Sequence, residues 1–300
     1  MSVVTIGTLD GVHRGHRVLL QRLAARAREV NLPGVLVTFE PHPLEVVNPG
    51  AAPLLLTVGD EKTEVLAECP LHHAVVLDFT PALARYDAEQ FVDLVLLGRL
   101  GMKELLIGHD HGLGRGRSGD ADLLAALGAE RGFRVEVVPA VQGRDGRPIS
   151  STSIRRAIAG GDLARAADGL GRPYSVSGVV QPGAGRGRLL GFSTLNLGTP
   201  SPRKLLPPEG VYAIRANTAR GSFSGMMNLG PRPTFGETAT TIEAHLFDAE
   251  GDWYGTRVRI DFIARLRDTR KFAGPEALVE QLRRDEQIAR VMIGRNLAGL

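Results

Sequence analysis

At 300 residues, 43% hydrophobic and 23% charged, the chain is neither fibrous nor disordered and is long enough for two buried cores. Its net charge of +3 is spread through the sequence and only 5% of residues are aromatic, which argues against a basic nucleic-acid surface interleaved with stacking rings and favours small anionic ligands. The single cysteine, Cys69, excludes a disulfide framework, and no stretch reaches the length of a membrane span, so a cytoplasmic protein is expected.

Short β-branched runs at 3–6, 35–39, 74–78, 104–108 and 134–138 are candidate strands, with helical patterns between them at 16–30, 60–69, 87–100 and 120–131. The first helical pattern puts Leu19, Leu20, Leu23, Ala24 and Ala27 on one stripe. Apolar strands separated by helices predict a parallel sheet covered on both faces, whose ligands bind beyond the carboxyl ends of the strands. The stretch IGTLDGVHRGH at 6–16 falls there, with His13 and His16 one helical turn apart where the first helix begins. Unpaired N–H groups, the positive end of the helix dipole and close backbone approach at glycine make this stretch a candidate triphosphate site, with the two imidazoles as donors. Two surface histidines are the alternative.

Further along, EPHP at 40–43 and GHD at 108–110 reach the same edge of the sheet. The loop GLGRGRSG at 112–119 reads either as a cover for phosphates or as a solvated connector. At 149–156, ISSTSIRR opens a helix expected to run to 159, and a second short helix follows to 167. One hydroxyl suffices for an N-cap, whereas Ser150, Ser151, Thr152 and Ser153 followed by Arg155 suit phosphate oxygens; a redundant cap is the alternative.

Composition shifts at 169–173, which places a domain boundary near residue 170. Beyond it, strand-like runs at 174–180, 189–197, 211–216, 222–228, 241–247 and 257–263 indicate an antiparallel barrel or sandwich. A closing amphipathic helix is expected over 275–291 with Ala277, Leu278, Leu282 and Ile288 inward. Thr194 and Asn196, two apart on a strand, share a face and offer hard oxygen ligands suited to Mg²⁺; a plain polar face is the alternative. Glu243 and His245 likewise share a face opposite Ile242, Ala244 and Leu246, and a carboxylate there suits a general base in phosphoryl transfer, or simply faces solvent. Spacing assigns no role to the turn-rich stretch 228–235.

Nine segments in order make the chain resemble the bifunctional prokaryotic riboflavin kinase/FAD synthetase family over nearly its whole length. They are GTLDGVHRGH (7–16), FEPHP (39–43), GRGRSGD (114–120), ISSTSIR (149–155), GRGRLLGFSTLNL (185–197), LPPEGVYA (206–213), NLGPRPTF (228–235), EAHLFD (243–248) and LRDTRKF (266–272). The resemblance implies an α/β Rossmann-like nucleotidyltransferase domain at 1–170, followed at 171–300 by an antiparallel six-stranded flavokinase β-barrel with a C-terminal helix. It implies two reactions, riboflavin plus ATP giving FMN and ADP, then FMN plus ATP giving FAD and pyrophosphate.

The same resemblance implies roles for individual residues. His13 and His16 act on the ATP phosphates in adenylyl transfer, with Gly7, Thr8, Asp10, Gly15, Ser150, Ser151, Thr152 and Arg155 around that nucleotide. Gly185, Arg186 and Gly187 bind nucleotide in the kinase half, Thr194 and Asn196 hold Mg²⁺ with ATP, and Glu243 is the base. Asp110 and Arg232 face flavin. Riboflavin, FMN and ATP are then the partners, beside a weak homo-oligomer, with no nucleic acid and no membrane. Five positions depart from the family pattern: Leu9, His111 and Leu113 stand where Phe is usual, Ser193 where Pro is usual and Leu195 where Ala is usual. The three lost rings leave two other readings open, a riboflavin kinase with an altered nucleotidyltransferase half and a non-catalytic flavin-binding regulator.

Overall fold

A computed structural model describes residues 1–183, 187, 191–198, 201–230 and 241–298, which form two compact units, Met1–Ser151 and Thr152–Leu300. No helix among the described residues is long and apolar enough to cross a membrane.

In the first unit β1 (Ser2–Ile6), β2 (Gly34–Glu40), β3 (His73–Asp78), β4 (Met102–Gly108) and β5 (Arg134–Val138) make a parallel sheet in the order β3-β2-β1-β4-β5. All five strands fall where their β-branched runs predict. Side chains alternate between two cores: Val4, Ile6, Val37 and Ile107 pack on one face, Val3, Leu36 and Leu106 on the other. The central strand β1 has every residue buried, and its two polar side chains, Ser2 and Thr5, spend their hydroxyls on the carbonyls of Leu100 and Leu106. Chain order reverses where β1 lies between β2 and β4, so the crevice for a ligand opens at the carboxyl end of β1.

Helix α1 (Arg14–Glu29) follows directly and buries Leu19, Leu20, Leu23, Ala24 and Ala27, the stripe its spacing dictates. Its arginines do more than face water. Arg26 pairs with both oxygens of Glu104 on β4 at 2.6 and 2.7 Å, and Arg22 with Glu136 on β5 at 2.5 and 3.0 Å. Helices α2 (Pro43–Val47) and α3 (Asp60–Ala67) come next. Helix α4 (Ala88–Phe91) starts on an Asp87–Gln90 capping box and passes into a wider π-turn over Val92–Leu97. Helix α5 (Ala121–Arg131) is capped by Asp120.

The second unit carries α6 (Ser151–Ala159), α7 (Leu163–Leu170) and a closed antiparallel barrel. Its strands are β6 (Ser175–Gln181), β7 (Leu195–Leu197), β8 (Gly210–Thr218), β9 (Gly221–Gly230), β10 (Thr241–Leu246) and β11 (Arg257–Arg267), in the order β10-β7-β6-β11-β8-β9. Tyr212 and Phe262 fill the interior edge to face with ring centres 5.2 Å apart. A C-terminal helix, α8 (Pro275–Ala298), packs on β8, β9 and β11. Here one expectation needs correction: Ala277 and Ile288 are exposed, and the buried stripe of α8 runs through Asp285, Ala289 and Ile293. The stripe is displaced because Asp285, a carboxylate, is drawn inside by a bidentate pair with Arg267 at 2.7 to 3.1 Å.

Candidate active sites

Beyond β1 the chain turns sharply before α1. Leu9 and Val12 hold φ of 45° and 40°, a left-handed conformation that is strained for such side chains, and both are buried in the core. The turn delivers His13 to the N-cap of α1, where its Nδ1 accepts the backbone N–H of His16 at 3.3 Å. That bond assigns the proton of neutral His13 to Nε2. The His13 and His16 rings stack with centroids 3.6 Å apart, and a Cβ at Gly15 would sit 3.1 Å from the His13 ring, so a larger residue there would press on it. Burial, then the charges of His13 and Lys62, holds His16 well below its ordinary pKa, and its Nδ1 is a buried atom with no partner among the described residues. His16 is thus a neutral donor stacked on His13 at the positive end of a helix, chemically fit for phosphate.

The other residues expected around this nucleotide divide. Gly7 and Thr8 lie in the same turn, tied through their backbone to β2 by Gly7 N–H on Val37 and by the Thr38 hydroxyl on the Thr8 carbonyl. Asp10 is 3% exposed, and its carboxylate accepts the backbone N–H groups of Leu56 at 2.9 Å and Thr57 at 3.0 Å. The turn is therefore clamped by Asp10, whose charge is spent on the protein's own backbone. Ser150 precedes α6, and within the first unit the Ser151 hydroxyl donates to the Asp10 carbonyl at 3.0 Å. Thr152 and Arg155 belong to the second unit.

After β4, Asp110 is exposed and His111 half-buried. The glycine–arginine loop closes on itself through Leu113 and Gly119 and is tied to the Tyr86 carbonyl by Arg115 and to the Asp110 carbonyl by Arg117. The loop is anchored at its ends while Arg115, Gly116, Arg117 and Ser118 stay exposed. Leu9 at 2% and Leu113 at 5% exposure are core residues, so the loss of Phe there bears on packing.

Lys62 on α3 escapes sequence reasoning. Buried, it donates to the Phe39 carbonyl at the end of β2 at 3.2 Å, with its pKa lowered chiefly by burial while Glu40 and Asp10 oppose the shift. A signal existed: Lys62 shares the buried stripe of α3 with Val65 and Leu66.

The buried histidines give this unit an acid sensitivity. Burial, then the charge of Arg117, pushes His111 down to about 4, against 6.5 in an unfolded chain, with Asp110 opposing. Below about pH 6.5 the unfolded chain binds protons that the folded unit refuses, so stability falls with pH until the folded value is reached. At about pH 5 His111 alone is expected to cost about 2 kcal/mol. Unfolding free energies from urea titrations at pH 7.5 and 5 should therefore differ by about 2 kcal/mol less in His111→Phe than in the parent; an unchanged pH dependence would refute it.

In the barrel, β7 and β10 are neighbours, and register puts Asn196 directly opposite Glu243. The Thr194 hydroxyl donates to Glu243 Oε1 at 2.7 Å. Three residues proposed from spacing thus converge on one patch. The same row continues to Gln181 on β6, opposite Asn196, and to Asn228 on β9, opposite Glu243. Three carboxamides and one carboxylate line up across four strands, and sequence reasoning missed Gln181 and the place of Asn228. At Gly183 a Cβ would fall 2.0 Å from Asn196 Nδ2, so the chain leaving β6 crosses the Asn196 amide where only glycine passes. Gly187 bonds Phe192 N–H through its carbonyl at 2.8 Å, next to this patch. Gly185, Arg186 and Arg232 lie outside the described residues.

Among the described residues no group of three or more His, Cys, Asp or Glu could hold a metal ion, so a cation here would rely on neutral oxygens beside one carboxylate. Thr194 Oγ1 and the Asn196 amide fit Mg²⁺, which takes few protein ligands and keeps waters and phosphate oxygens.

Comparison with known proteins matches a family profile to each half of the chain. The FAD synthetase family profile matches residues 1–153 and the riboflavin kinase profile residues 170–293. The bifunctional riboflavin kinase/FMN adenylyltransferase of Escherichia coli K12 is 38% identical over 293 residues, 97% of this chain and 93% of that protein. The Bacillus subtilis protein of the same name is 33% identical, over 96% and 91% of the two chains. A crystal structure from Streptococcus pneumoniae, named a macrolide-efflux protein, matches with a TM-score of 0.84 at 31% identity over 96% of this chain and 94% of that one. The chain belongs to the family of bifunctional riboflavin kinases/FMN adenylyltransferases.

Proposed function

We propose that this chain makes FMN from riboflavin and ATP in its barrel and FAD from FMN and ATP in its parallel-sheet unit. The observation that carries the reading is the Thr194–Glu243 hydrogen bond at 2.7 Å with Asn196 in register opposite, a base and two cation-binding oxygens in one patch. A ribityl hydroxyl is a poor nucleophile. Glu243 accepts its proton as the oxygen attacks the γ-phosphorus of ATP and ADP leaves. Thr194 and Asn196 would hold Mg²⁺, which offsets phosphate charge when bound.

Adenylyl transfer needs no covalent enzyme intermediate, because the FMN phosphate is itself the nucleophile at the α-phosphorus of ATP and pyrophosphate leaves. His13 and His16, as donors at the start of α1, align the phosphates and offset charge on the transferring group. The Ser150 and Ser151 hydroxyls at the start of α6 are proposed to complete this site, while Asp10 holds its turn. We place the functional boundary near residue 170, supported by the start of the riboflavin kinase match. ATP and a lone cysteine suit a cytoplasmic setting.

Purified protein incubated with riboflavin, ATP and Mg²⁺, its flavins resolved over time by chromatography, tests the proposal. FMN that rises and gives way to FAD is the expected course. FMN accumulating alone would make this a monofunctional kinase, and bound flavin without turnover a regulator.

A further inference from the structure

The phosphoryl-transfer reading leaves His245 without a task, although it lies two residues from Glu243 on the same face of β10. Its Nδ1 is 2.7 Å from the carbonyl oxygen of Ser193. A carbonyl only accepts, so Nδ1 carries the hydrogen and donates it. The ring is gripped edge-on by Phe192 and Phe247, with centroids at 5.1 and 5.8 Å. Both phenylalanines belong to one apolar cluster with Met226 of β9 and Ala289 and Ile293 of α8. Arg290 of α8 lies over the Phe247 ring at 4.5 Å and pairs with Asp248 at 2.8 and 3.0 Å. The donor is therefore fixed by the helix packed behind it.

What it fixes is the segment entering β7. Ladder pairing between β7 and β10 begins at Leu195, opposite Ala244, so Thr194 stands just outside the sheet. The Ser193 carbonyl and the Thr194 N–Cα bond share one rigid peptide plane. Holding that carbonyl sets where the Thr194 side chain starts, and hence whether its hydroxyl reaches Glu243.

We propose that His245 is a positioning residue for phosphoryl transfer, its Nδ1–H holding the Ser193–Thr194 peptide so that the Thr194 hydroxyl meets Glu243. The inference rests on the assignment of Glu243 as base. It makes the imidazole a side-chain extension of the β7–β10 ladder, whose backbone pairing stops one residue short of Thr194.

The test uses the full chain with His245→Leu, which removes the donor, and His245→Asn, whose amide nitrogen takes the place of Nδ1. Rates of FMN formation from riboflavin, of FAD formation from supplied FMN, and the melting temperature are measured for each. His245→Leu is expected to lower kcat for FMN formation about thirtyfold, with KM for riboflavin within about twofold and FAD formation unchanged. His245→Asn should stay within about threefold of the parent. Should the leucine variant fail to fold, His245→Ser, too short to reach the carbonyl, takes its place. Parental kcat without the donor, or asparagine as slow as leucine, would overturn the inference. Glu243→Gln run alongside separates the two levels: if it still forms FMN, the base assignment fails and this inference with it.

Discussion

Glu243→Gln is expected to lower FMN formation from riboflavin by about 10³-fold while conversion of supplied FMN to FAD proceeds at the parental rate. The substitution keeps size and an acceptor oxygen, so the Thr194 hydroxyl, which donates to Glu243 Oε1, still has a partner. What it removes is the capacity to take a proton at neutral pH. The loss is therefore chemical, and the fold of the barrel, built on Tyr212, Phe262 and the apolar alternation of its strands, is untouched. Initial rates with riboflavin and with FMN, measured on one preparation by flavin chromatography, make the comparison. If both reactions fell together, the division of labour between the two units would be wrong.

His16→Ala is expected to have the opposite selectivity, with FAD formation lowered by about 10²-fold or more and FMN formation unchanged. His16 is kept neutral by burial, by His13 stacked at 3.6 Å and by Lys62, so it meets phosphate with an N–H of the imidazole and brings no cation to a crowded site. Its buried Nδ1 without a partner among the described residues is the kind of atom a ligand satisfies. Removing the ring also exposes the His13 face that Gly15 leaves room for, so kcat should fall together with a rise in KM for ATP. Retained FAD formation in His16→Ala would sink the role given to the stacked pair. The two substitutions together form a crossed test, each losing the reaction that the other keeps.

The contrast between these sites also bears on what a sequence conveys. Secondary structure in the first unit follows from local pattern, because a parallel strand buried on both faces must be apolar throughout and a helix on such a sheet must carry a stripe. The strands β1 and β2 and the stripe of α1 follow from those two rules, while the edge strands β3 and β5 keep exposed positions and were legible from their β-branched runs. His13 and His16 were readable for a similar reason: their relation is set by helical spacing within four residues of chain. On α8 the same reasoning misplaced Ala277 and Ile288, since hydrophobicity alone does not announce that Asp285 is drawn inward by Arg267 from another strand.

By itself, then, the sequence determined the parallel-sheet unit, an antiparallel second unit and, through its ordered motifs, the family, since each rests on spacing or motifs along one stretch of chain. Tertiary structure alone decided what those residues face. Strand register aligned Gln181, Asn196, Glu243 and Asn228 in one row, and no single strand contains the information for it, because register is a relation between chains distant in sequence. The fold likewise turned Asp10 inward onto the backbone of Leu56 and Thr57, placed Lys62 where its charge acts on His16 and set His245 against the Ser193 carbonyl. A buried polar group must find its partner wherever the packed chain supplies one, and that partner is chosen in three dimensions.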